Sequence, residues 1–288
     1  MILLAVISVV IATLSPFWGL IFIIAFSGKY QKNRNIFNYV FFGFVILLFL
    51  VKLVDIITFM NLFIGVGLTS VLFLWSLRRT LNFINAIISA FFLNIVYAVL
   101  RMIVFGKQYA ELIAEVIVKY KEFVTQSFQD NAEQLTLALD FTDTFQQLFT
   151  KYYVGIWVFT IVFAMYIGSI FLSKKGNLVW EHRKIQMPYY LIYILIASLA
   201  GFLLPNTRTS GINALIMIAP LFLIQGISIV DFYWGDFFRR SKILLFLLIV
   251  SMVFNYFILM LVALIGLIDI WFNFRKIDME EIDESNLN

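Results

Sequence analysis

The chain contains no cysteine, a single histidine and few charged residues, which make up 13% of it. Without cysteine it has no disulfides, no thiolate nucleophile and no Cys-ligated metal. The one histidine, His182, lies in a charged loop, so neither a His-based metal site nor a Ser-His-Asp triad can be assembled. We therefore expect a protein without a metal, without a cofactor and without enzymatic activity.

The scarcity of charge is matched by an excess of apolar side chains. Hydrophobic residues make up 62% of the chain and the mean hydropathy is +0.97, whereas soluble domains hold about 25% charged and roughly 50% apolar residues. Apolar runs of about 18 or more residues recur along the whole length, which is typical of membrane-spanning helices and not of alternating barrel strands. The sequence predicts an all-α, polytopic helical membrane bundle.

We predict about eight spans, at residues 2–26, 36–54, 57–77, 81–105, 153–172, 188–204, 212–233 and 243–272. Ser15 and Pro16 lie near the middle of the first, where a proline kinks or breaks a helix. This first run lacks the basic n-region and cleavage site of a signal peptide, so it is interpreted as a span. The predicted organisation is spans one to four in 1–105, an external helical hairpin in 106–150, spans five to eight in 151–276 and an acidic tail in 277–288.

The basic residues of the loops orient these spans. Lysine and arginine follow spans one, three, five and seven, at Lys29, Lys32, Arg34, Arg78, Arg79, Lys174, Lys175, Arg183, Lys184, Arg239, Arg240 and Lys242. By the positive-inside rule these loops face the cytoplasm, so 106–150 and both termini lie outside. The last span is a difficulty, because roughly 30 apolar residues form a helix of about 45 Å for a core of about 30 Å. It must tilt, protrude, or form a hairpin near Asn255 that returns Arg275 and Lys276 to the cytoplasm.

The external segment predicts two amphipathic helices separated by a turn at Asp130 and Asn131. Apolar residues recur at helical spacing in both, at Leu112, Ile113, Val116, Ile117, Tyr120, Phe123 and Val124, and then at Phe141, Phe145, Leu148 and Phe149. Because such stripes must be covered, we expect the helices to pack on each other and on the outer surface of the bundle. The expected buried residues are Val116, Tyr120, Phe145 and Leu148, with Glu115, Lys119 and Glu122 facing water. An interfacial hairpin, a lid and a docking surface are three open interpretations.

Charged residues inside the spans need a partner or water, because each costs about 2.5 to 3.5 kcal/mol at a helix centre. Lys52 and Asp55 stand three positions apart at the end of span two and are expected to pair there. Arg101 lies late in span four with no acid nearby in sequence. It either snorkels to the outer headgroups or points inward to an anionic ligand or a buried acid.

Gln225 lies near the middle of span seven and is the deepest polar residue. Pro220 frees a carbonyl five positions earlier, and Gly226 lets another backbone or a ligand come close. This combination is typical of midplane sites in transport proteins, and Arg101 would stand at its outer mouth. The alternative is an interhelical hydrogen bond that only holds the bundle together.

The remaining predicted binding residues are Asn255 and Asp269 in the last segment. Asp269 is expected to meet another span, because Arg275 lies too far round the helix for a direct pair. Asp231 and Asp236 lie beside Arg239 and Arg240 near the cytoplasmic end of span seven, and interfacial pairing is their expected role. They are also the only paired acids that a membrane enzyme could use there, and their spacing fits no lipid-transferase signature.

The stretch PLFLIQGISIVDFYW and the closing LIGLIDIWFNFRK resemble the C-terminal half of the YybS-like family of bacterial polytopic membrane proteins. The resemblance covers about the last 80 residues and carries Pro220, Gln225, Gly226, Gly266, Asp269 and Arg275. Such proteins are thought to be distant relatives of the substrate-binding S-components of energy-coupling factor transporters. The resemblance therefore implies small-molecule transport in the bacterial cytoplasmic (inner) membrane, without naming a substrate.

One S-component feature is missing from the first span. Such proteins often present an Ala-x-x-x-Ala pattern there to dock a coupling subunit, whereas this span has only Ala5 and Ala12, and the nearest match is Ala86 and Ala90 in span four.

Two function classes follow from these observations. The first is a small-molecule substrate-binding or transport protein with its site between spans four, seven and eight. The alternative is a non-transporting subunit or scaffold of a larger membrane complex, docking through the Ala86/Ala90 or Ala197/Gly201 seams or the 106–150 hairpin. Beyond the lipid bilayer itself, the expected partners are a small-molecule ligand or a membrane protein, and no nucleic acid.

Overall fold

The computed structural model describes residues 1–129, 131–174, 182–240 and 255–277, and all regular secondary structure in them is helical. Four helices are long and apolar enough to cross a membrane: Ile56–Thr80, Phe83–Ser127, Tyr153–Leu172 and Pro205–Phe237. Five shorter apolar helices accompany them: Ile2–Leu14, Pro16–Lys29, Arg34–Leu50, Leu191–Leu203 and Phe257–Phe272. The predicted all-α membrane bundle is confirmed. The predicted acidic tail lies outside the described residues except for Ile277.

The α-helices of the described ranges are numbered in chain order. They are α1 (Ile2–Leu14), α2 (Pro16–Tyr30), α3 (Arg34–Leu50), α4 (Ile56–Met60), α5 (Thr69–Thr80), α6 (Phe83–Ser127), α7 (Ala132–Lys151), α8 (Tyr153–Lys174), α9 (Leu191–Leu203), α10 (Arg208–Arg240) and α11 (Tyr256–Phe272). Short 3₁₀ turns lie at Gln31–Asn33, His182–Lys184 and Pro205–Thr207. A π-helical segment, Asn61–Leu68, joins α4 to α5 without a break.

The first predicted span is two helices and not one. Ser15 is extended, with φ −157° and ψ 115°, and ends α1 immediately before Pro16 starts α2. The chain turns so sharply there that a methyl group on Gly19 would overlap Ala12. At 13 and 15 residues, the helices are about 20 and 22 Å long, so neither alone crosses a core of about 30 Å. The predicted break is confirmed, and counting this run as one span is wrong.

The loop between α3 and α4 contains no Lys52–Asp55 ion pair. The left-handed backbone of Lys52, with φ 58°, follows the end of α3. Asp55 instead caps α4, where its Oδ1 accepts a hydrogen bond of 2.8 Å from the backbone N–H of Thr58. The predicted pairing is wrong because the helix ends at Leu50, so the two residues do not share a helix face.

The fourth span continues without interruption into the predicted external segment. Helix α6 has 45 residues and is therefore about 67 Å long, more than twice the thickness of a hydrocarbon core. Helix α7 returns antiparallel along its distal half, and Asn131 caps α7 by accepting from the Gln134 N–H. Lys121 and Asp143 form an ion pair of 2.6 Å between the two helices. The hairpin is present, but as an extension of α6 and not as a separate unit.

The hairpin buries only part of the expected apolar stripe. Ile117 and Val124 of α6 are 5% and 1% exposed, and Thr142 of α7 is 1% exposed. The four residues expected to be buried are all exposed: Val116 59%, Tyr120 45%, Phe145 39% and Leu148 41%. This prediction is wrong because the apolar surface of each helix is wider than one partner helix can cover. Glu115, Lys119 and Glu122 are exposed, as predicted.

The last helix runs parallel to α10. Gly266 lies against Phe222 and Gly226, Asp269 contacts Gln225, and Tyr233 donates to the Phe274 carbonyl, so contacts advance in the same direction along both helices. Helix α11 has 17 residues and is capped by Asn255, whose Oδ1 accepts from the Phe257 N–H. Of the predicted span 243–272, residues 243–254 lie outside the described residues. The described part begins as a helix at Tyr256, and Arg275 lies at the end holding Arg183, as the hairpin alternative predicted. The C-terminal end of the described chain is at the basic end, not outside.

The core is formed around α8 and α10. Helix α8 packs on α2, α6 and α10, and α10 also contacts α9 and α11. Ala86 and Ala90 are 0% exposed and belong to this core, so their seam offers no surface to a second protein. Gly201 faces Gly211 across the α9–α10 contact, while Ala197 is exposed.

Candidate functional site

A buried polar cluster ties the end of α11 to α10 and to the loop before α9. We call Gln225, Ser228, Asp269 and Arg275 the C-terminal polar cluster. Asn273 takes the left-handed conformation, with φ 42°, and ends the helix. The chain then turns back, so that Arg275 Nη2 lies 2.8 Å from Asp269 Oδ2, with both side chains 0% exposed. The expectation that these two cannot pair is wrong, because the helix ends between them.

Gln225 faces the interior, as predicted, and joins this ion pair. Its Nε2 donates to Asp269 Oδ2 at 2.9 Å, and its Oε1 accepts from the Met187 N–H at 2.9 Å. Asp269 therefore meets another span, as expected, in addition to Arg275. The second carboxylate oxygen, Oδ1, accepts from the Phe274 N–H at 2.9 Å.

Arg275 reaches further into the loop that precedes α9. Its guanidinium donates to the carbonyls of Arg183 at 2.8 Å and Ile185 at 2.6 Å, and to Ser228 Oγ at 2.6 Å. Ser228 in turn donates to the His182 carbonyl. The chain's own groups thus take up most of the hydrogen-bonding capacity of the cluster, which is the pattern of a structural tie.

The surface beside Gln225 is closed by helix packing. A methyl group on Gly226 would overlap the backbone of Val262, and one on Gly266 would overlap the backbone of Phe222. The two glycines therefore bring α10 and α11 into backbone contact, in the manner of small-residue seams in membranes. Pro220 is buried within α10, which continues as one helix through it. Gly226 does not line an open midplane pocket, and Asn255 is an exposed helix cap.

Charged residues surround the basic end of this cluster. Asp231 Oδ2 lies 3.3 Å from His182 Nδ1 and 3.5 Å from Arg183 Nε, and His182 Nε2 contacts the Tyr166 hydroxyl. Asp236 forms a 2.6 Å ion pair with Arg183, and this hydrogen bond raises the pKa of the guanidinium above its usual range. The two acids are paired at this end, but with the loop before α9; the side chains of Arg239 and Arg240 lie outside the described residues.

A second buried cluster surrounds Arg101, near the middle of α6. Arg101 lies about 27 Å along the helix axis from Phe83 and is 6% exposed. We call Asn61, Tyr97, Arg101, Tyr109, Tyr153 and Trp157 the arginine–aromatic cluster. Its members come from the π-helical segment, α6 and α8. Of the two predicted orientations, the inward one is confirmed.

Aromatic rings enclose the Arg101 guanidinium. Its central carbon lies 4.6 Å from the ring centroid of Trp157, 5.1 Å from that of Tyr109 and 5.6 Å from that of Tyr153. Nη1 donates to Asn61 Oδ1 at 2.8 Å, and the Tyr97 hydroxyl donates to the same oxygen at 2.6 Å. The inward-pointing cation is thus held by ring faces and one amide.

The guanidinium has no anionic partner within the described residues. No carboxylate lies within 4.0 Å of it there, and the bond to Asn61 is its only hydrogen bond. The Nε of Arg101 and the hydroxyl of Tyr153 are both buried without a hydrogen-bond partner. Because an arginine carries five N–H donors, most of its donor capacity is unused.

The helices around Arg101 fit closely together. Trp157 Nε1 donates to Asn94 Oδ1 at 3.3 Å, and Asn94 Nδ2 donates to Thr69 Oγ1 at 2.8 Å. A methyl group on Gly65 would overlap the Trp157 ring, so this glycine lets the π-helical segment approach α8. π-Helical turns within α-helices are frequent at functional sites.

The two clusters are separate. None of the hydrogen bonds or ring contacts of Arg101 involves α10 or α11, and α8 packs between α6 and α10. The structure thus brings Gln225, Asp269 and Gly226 together as predicted, and it places Arg101 elsewhere. The sequence reasoning missed Asn61, Tyr97, Tyr109, Tyr153 and Trp157. The spacing of Asn94, Tyr97 and Arg101, three and then four residues apart, was the readable signal for this face of α6.

Fold and clusters together define a class: a multi-helix integral membrane protein whose buried charged residues, within the described part of the chain, lie in two separate clusters. Within that class, the chain belongs to the family described as Predicted membrane protein (DUF2232), whose model matches residues 3–270. The matched range holds every residue of both clusters except Arg275. No curated protein and no solved structure matches the chain.

Proposed function

We propose that this protein binds a small anionic molecule at the arginine–aromatic cluster and serves as a substrate-binding or transport protein, not an enzyme, in the bacterial cytoplasmic membrane. The observation that carries the proposal is the Arg101 guanidinium, which is buried with a single hydrogen bond and no carboxylate partner among the described residues.

The energetics favour a ligand over a purely structural role. A charge at this depth costs several kcal/mol unless it is compensated, and each cation–π contact returns about 0.5 to 2 kcal/mol. Three ring contacts and one amide offset much of this cost. They leave the Nε donor of Arg101 and the Tyr153 hydroxyl unused. A carboxylate or phosphate would accept from both, since a guanidinium binds such groups through paired N–H donors.

The resemblance to YybS-like proteins and to S-components supports the same class of function. The proposal does not include docking of a coupling subunit through an Ala-x-x-x-Ala pattern, because the Ala86/Ala90 pattern is fully buried inside the bundle. Gln225, Asp269 and their neighbours then act as the tie that holds the binding bundle together. Pro220 and Gly226 lie on α10 beside that tie, and Asn255 caps the far end of α11. We place none of the three in the proposed ligand site.

The test is to identify what the purified protein carries. Compounds released on denaturation are analysed by negative-ion mass spectrometry for the unmodified protein, for Arg101→Gln and for Arg208→Gln. Arg208 is the matched control because it also lies over a ring, 5.4 Å from Phe202, but is exposed. We expect one anionic compound with the unmodified protein and the control and none with Arg101→Gln, all three being monodisperse. Equal recovery from Arg101→Gln contradicts the proposal.

A second candidate function is that of a non-transporting subunit of a membrane complex. The observation in its favour is the hairpin, whose outer faces expose Val116, Tyr120 and Phe123 on α6 and Phe141 and Phe145 on α7. Contiguous exposed apolar surface of this kind marks interaction sites. Stoichiometric recovery of one protein with the unmodified chain, lost in Tyr120→Ser/Phe141→Ser and kept in Arg101→Gln, would favour this function over ligand binding.

A further inference from the structure

A basic cleft lies between the start of α3 and the end of α5, at the end of the bundle that carries the basic loops. A cavity of about 470 Å³ is lined by Lys32, Asn33, Arg34, Asn35, Ile36 and Arg78. A second cavity of about 110 Å³ adjoins it, shares Arg34 and Asn35, and is further lined by Asn38, Ser70, Val71, Leu74 and Trp75. We call the two together the α3–α5 cleft.

The cleft is basic at its mouth and more apolar in its interior. Lys32, Arg34 and Arg78 give the outer cavity three cations, and among the described residues no aspartate or glutamate lines either cavity. The inner cavity offers the amide of Asn38 beside an apolar wall, and Ser70 in the same lining donates its hydroxyl proton to the Gly67 carbonyl. A ligand that fits this gradient carries negative charge at one end and becomes apolar toward the other.

The position of the cleft matches the headgroup layer. Trp75 is 47% exposed, and the Arg79 guanidinium lies 5.2 Å from its ring centroid. Aromatic and basic residues in this arrangement mark the membrane–water interface. Basic pockets between membrane helices on this side are the features that hold anionic lipid headgroups.

We infer that the α3–α5 cleft binds a phosphate group, and specifically the headgroup of an anionic phospholipid in the leaflet at the basic end. The phosphate lies among Lys32, Arg34 and Arg78, where guanidinium groups supply paired donors to its oxygens. The glycerol and first acyl carbons lie against Val71, Leu74 and Trp75. This site is distinct from the arginine–aromatic cluster, whose Arg101 lies near the middle of α6, about 27 Å along the helix from Phe83.

The test measures lipid selectivity by native mass spectrometry. Purified protein is titrated with an equimolar mixture of phosphatidylglycerol and phosphatidylcholine, and Arg34→Gln/Arg78→Gln is compared with Arg208→Gln, an exposed arginine at the opposite end. A cation near an anionic surface contributes a factor of about five in affinity. We therefore expect the double variant to bind phosphatidylglycerol roughly 25-fold more weakly, with phosphatidylcholine and the control unchanged.

Two further measurements distinguish loss of charge from a folding defect, and a lipid ligand from a soluble phosphate compound. Arg34→Lys/Arg78→Lys retains both charges and should restore most of the preference, whereas a folding defect would not depend on charge. Glycerol 1-phosphate, a water-soluble probe, is titrated while the thermal unfolding midpoint is followed. Stabilisation by this probe without any lipid preference would assign the cleft to a soluble phosphate compound. A double variant that binds phosphatidylglycerol as well as the unmodified protein overturns the inference.

Discussion

At the scale of single residues, the two buried clusters differ in how completely their polar atoms are used. Asp269 accepts from Gln225, Arg275 and the Phe274 backbone, and Arg275 donates to four acceptors. Arg101 makes one hydrogen bond within the described part of the chain. Unmade hydrogen bonds of buried groups are costly and rare in native structures. The complete hydrogen bonding of Asp269 therefore indicates a structural tie, whereas Arg101 keeps donors that the described residues do not use.

Removing the charge of Asp269 should destabilise the protein more than removing the amide of Gln225. In Asp269→Asn the buried Arg275 cation loses its counter-charge, a change that costs about 3 to 5 kcal/mol. Gln225→Leu leaves the Met187 N–H without its acceptor, which costs about 1 to 3 kcal/mol. The measurement is the free energy of unfolding in detergent for each variant. A larger loss for Gln225→Leu would contradict the assignment of the ion pair as the centre of the tie.

The single variants Asp269→Asn and Arg275→Gln and the double variant Asp269→Asn/Arg275→Gln together form a double-mutant cycle. Because the two residues are in direct contact, the loss in the double variant should be smaller than the sum of the single losses by about 0.5 to 3 kcal/mol. Strict additivity would mean that the 2.8 Å pair contributes no interaction energy of its own.

At the scale of helices, hydropathy and proline placement predicted the apolar helices well, and their ends less well. The break at Pro16 was predictable because a proline ring removes a backbone donor. The continuity of α6 was also readable in principle: Phe83–Ser127 contains no proline and one glycine, Gly106. The left-handed turn at Asn273 was not, because nothing local in the sequence excludes further helix there. That turn alone decides whether Asp269 meets Arg275.

The candidate site was predictable only in part for a related reason. Gln225 and Asp269 could be singled out because polar groups are expensive inside a membrane. The partners of Arg101 could not, because Asn61 lies 40 positions away in sequence and the Asn94–Trp157 contact joins residues 63 positions apart. Which aromatic residues meet an arginine depends on helix packing. The sequence contains 52 aromatic residues (33 Phe, 6 Trp and 13 Tyr), and nothing in it singles out the ones that surround Arg101.

The α10–α11 seam gives a prediction at the helix scale. Gly226→Ala places a methyl group against the Val262 backbone, and overpacking of this kind costs about 1 to 3 kcal/mol. Gly43→Ala is the matched control, because the space beside Gly43 in α3 is open, and replacing a helical glycine there should stabilise by about 0.5 to 1 kcal/mol. Thermal unfolding midpoints should therefore move in opposite directions. Similar shifts of the two variants would mean that α11 does not pack closely on Gly226.

At the scale of the whole molecule, parallel packing of α10 and α11 gathers the basic residues at one end. Arg275 bonds to the carbonyl of Arg183, and Arg183 pairs with Asp236 at the end of α10. The distal part of the α6–α7 hairpin is far from this end, because α6 starts near Arg79 and is about 67 Å long. The positive-inside rule then assigns the basic end to the cytoplasm and the hairpin tip to the outside.

The absence of cysteine makes this topology testable with single substitutions. Gln129→Cys, at the hairpin turn, should react with an impermeant maleimide in intact cells, because its side chain is exposed and the positive-inside rule predicts that it lies outside. Lys276→Cys and Arg79→Cys should react only after the membrane is permeabilised, since both residues lie at the basic end. Labelling of Lys276→Cys in intact cells would mean that α11 does not return to the side of Arg183. Labelling of Arg79→Cys together with protection of Gln129→Cys would reverse the orientation of the whole bundle, and it would place Arg101 toward the cytoplasm and the α3–α5 cleft in the outer leaflet.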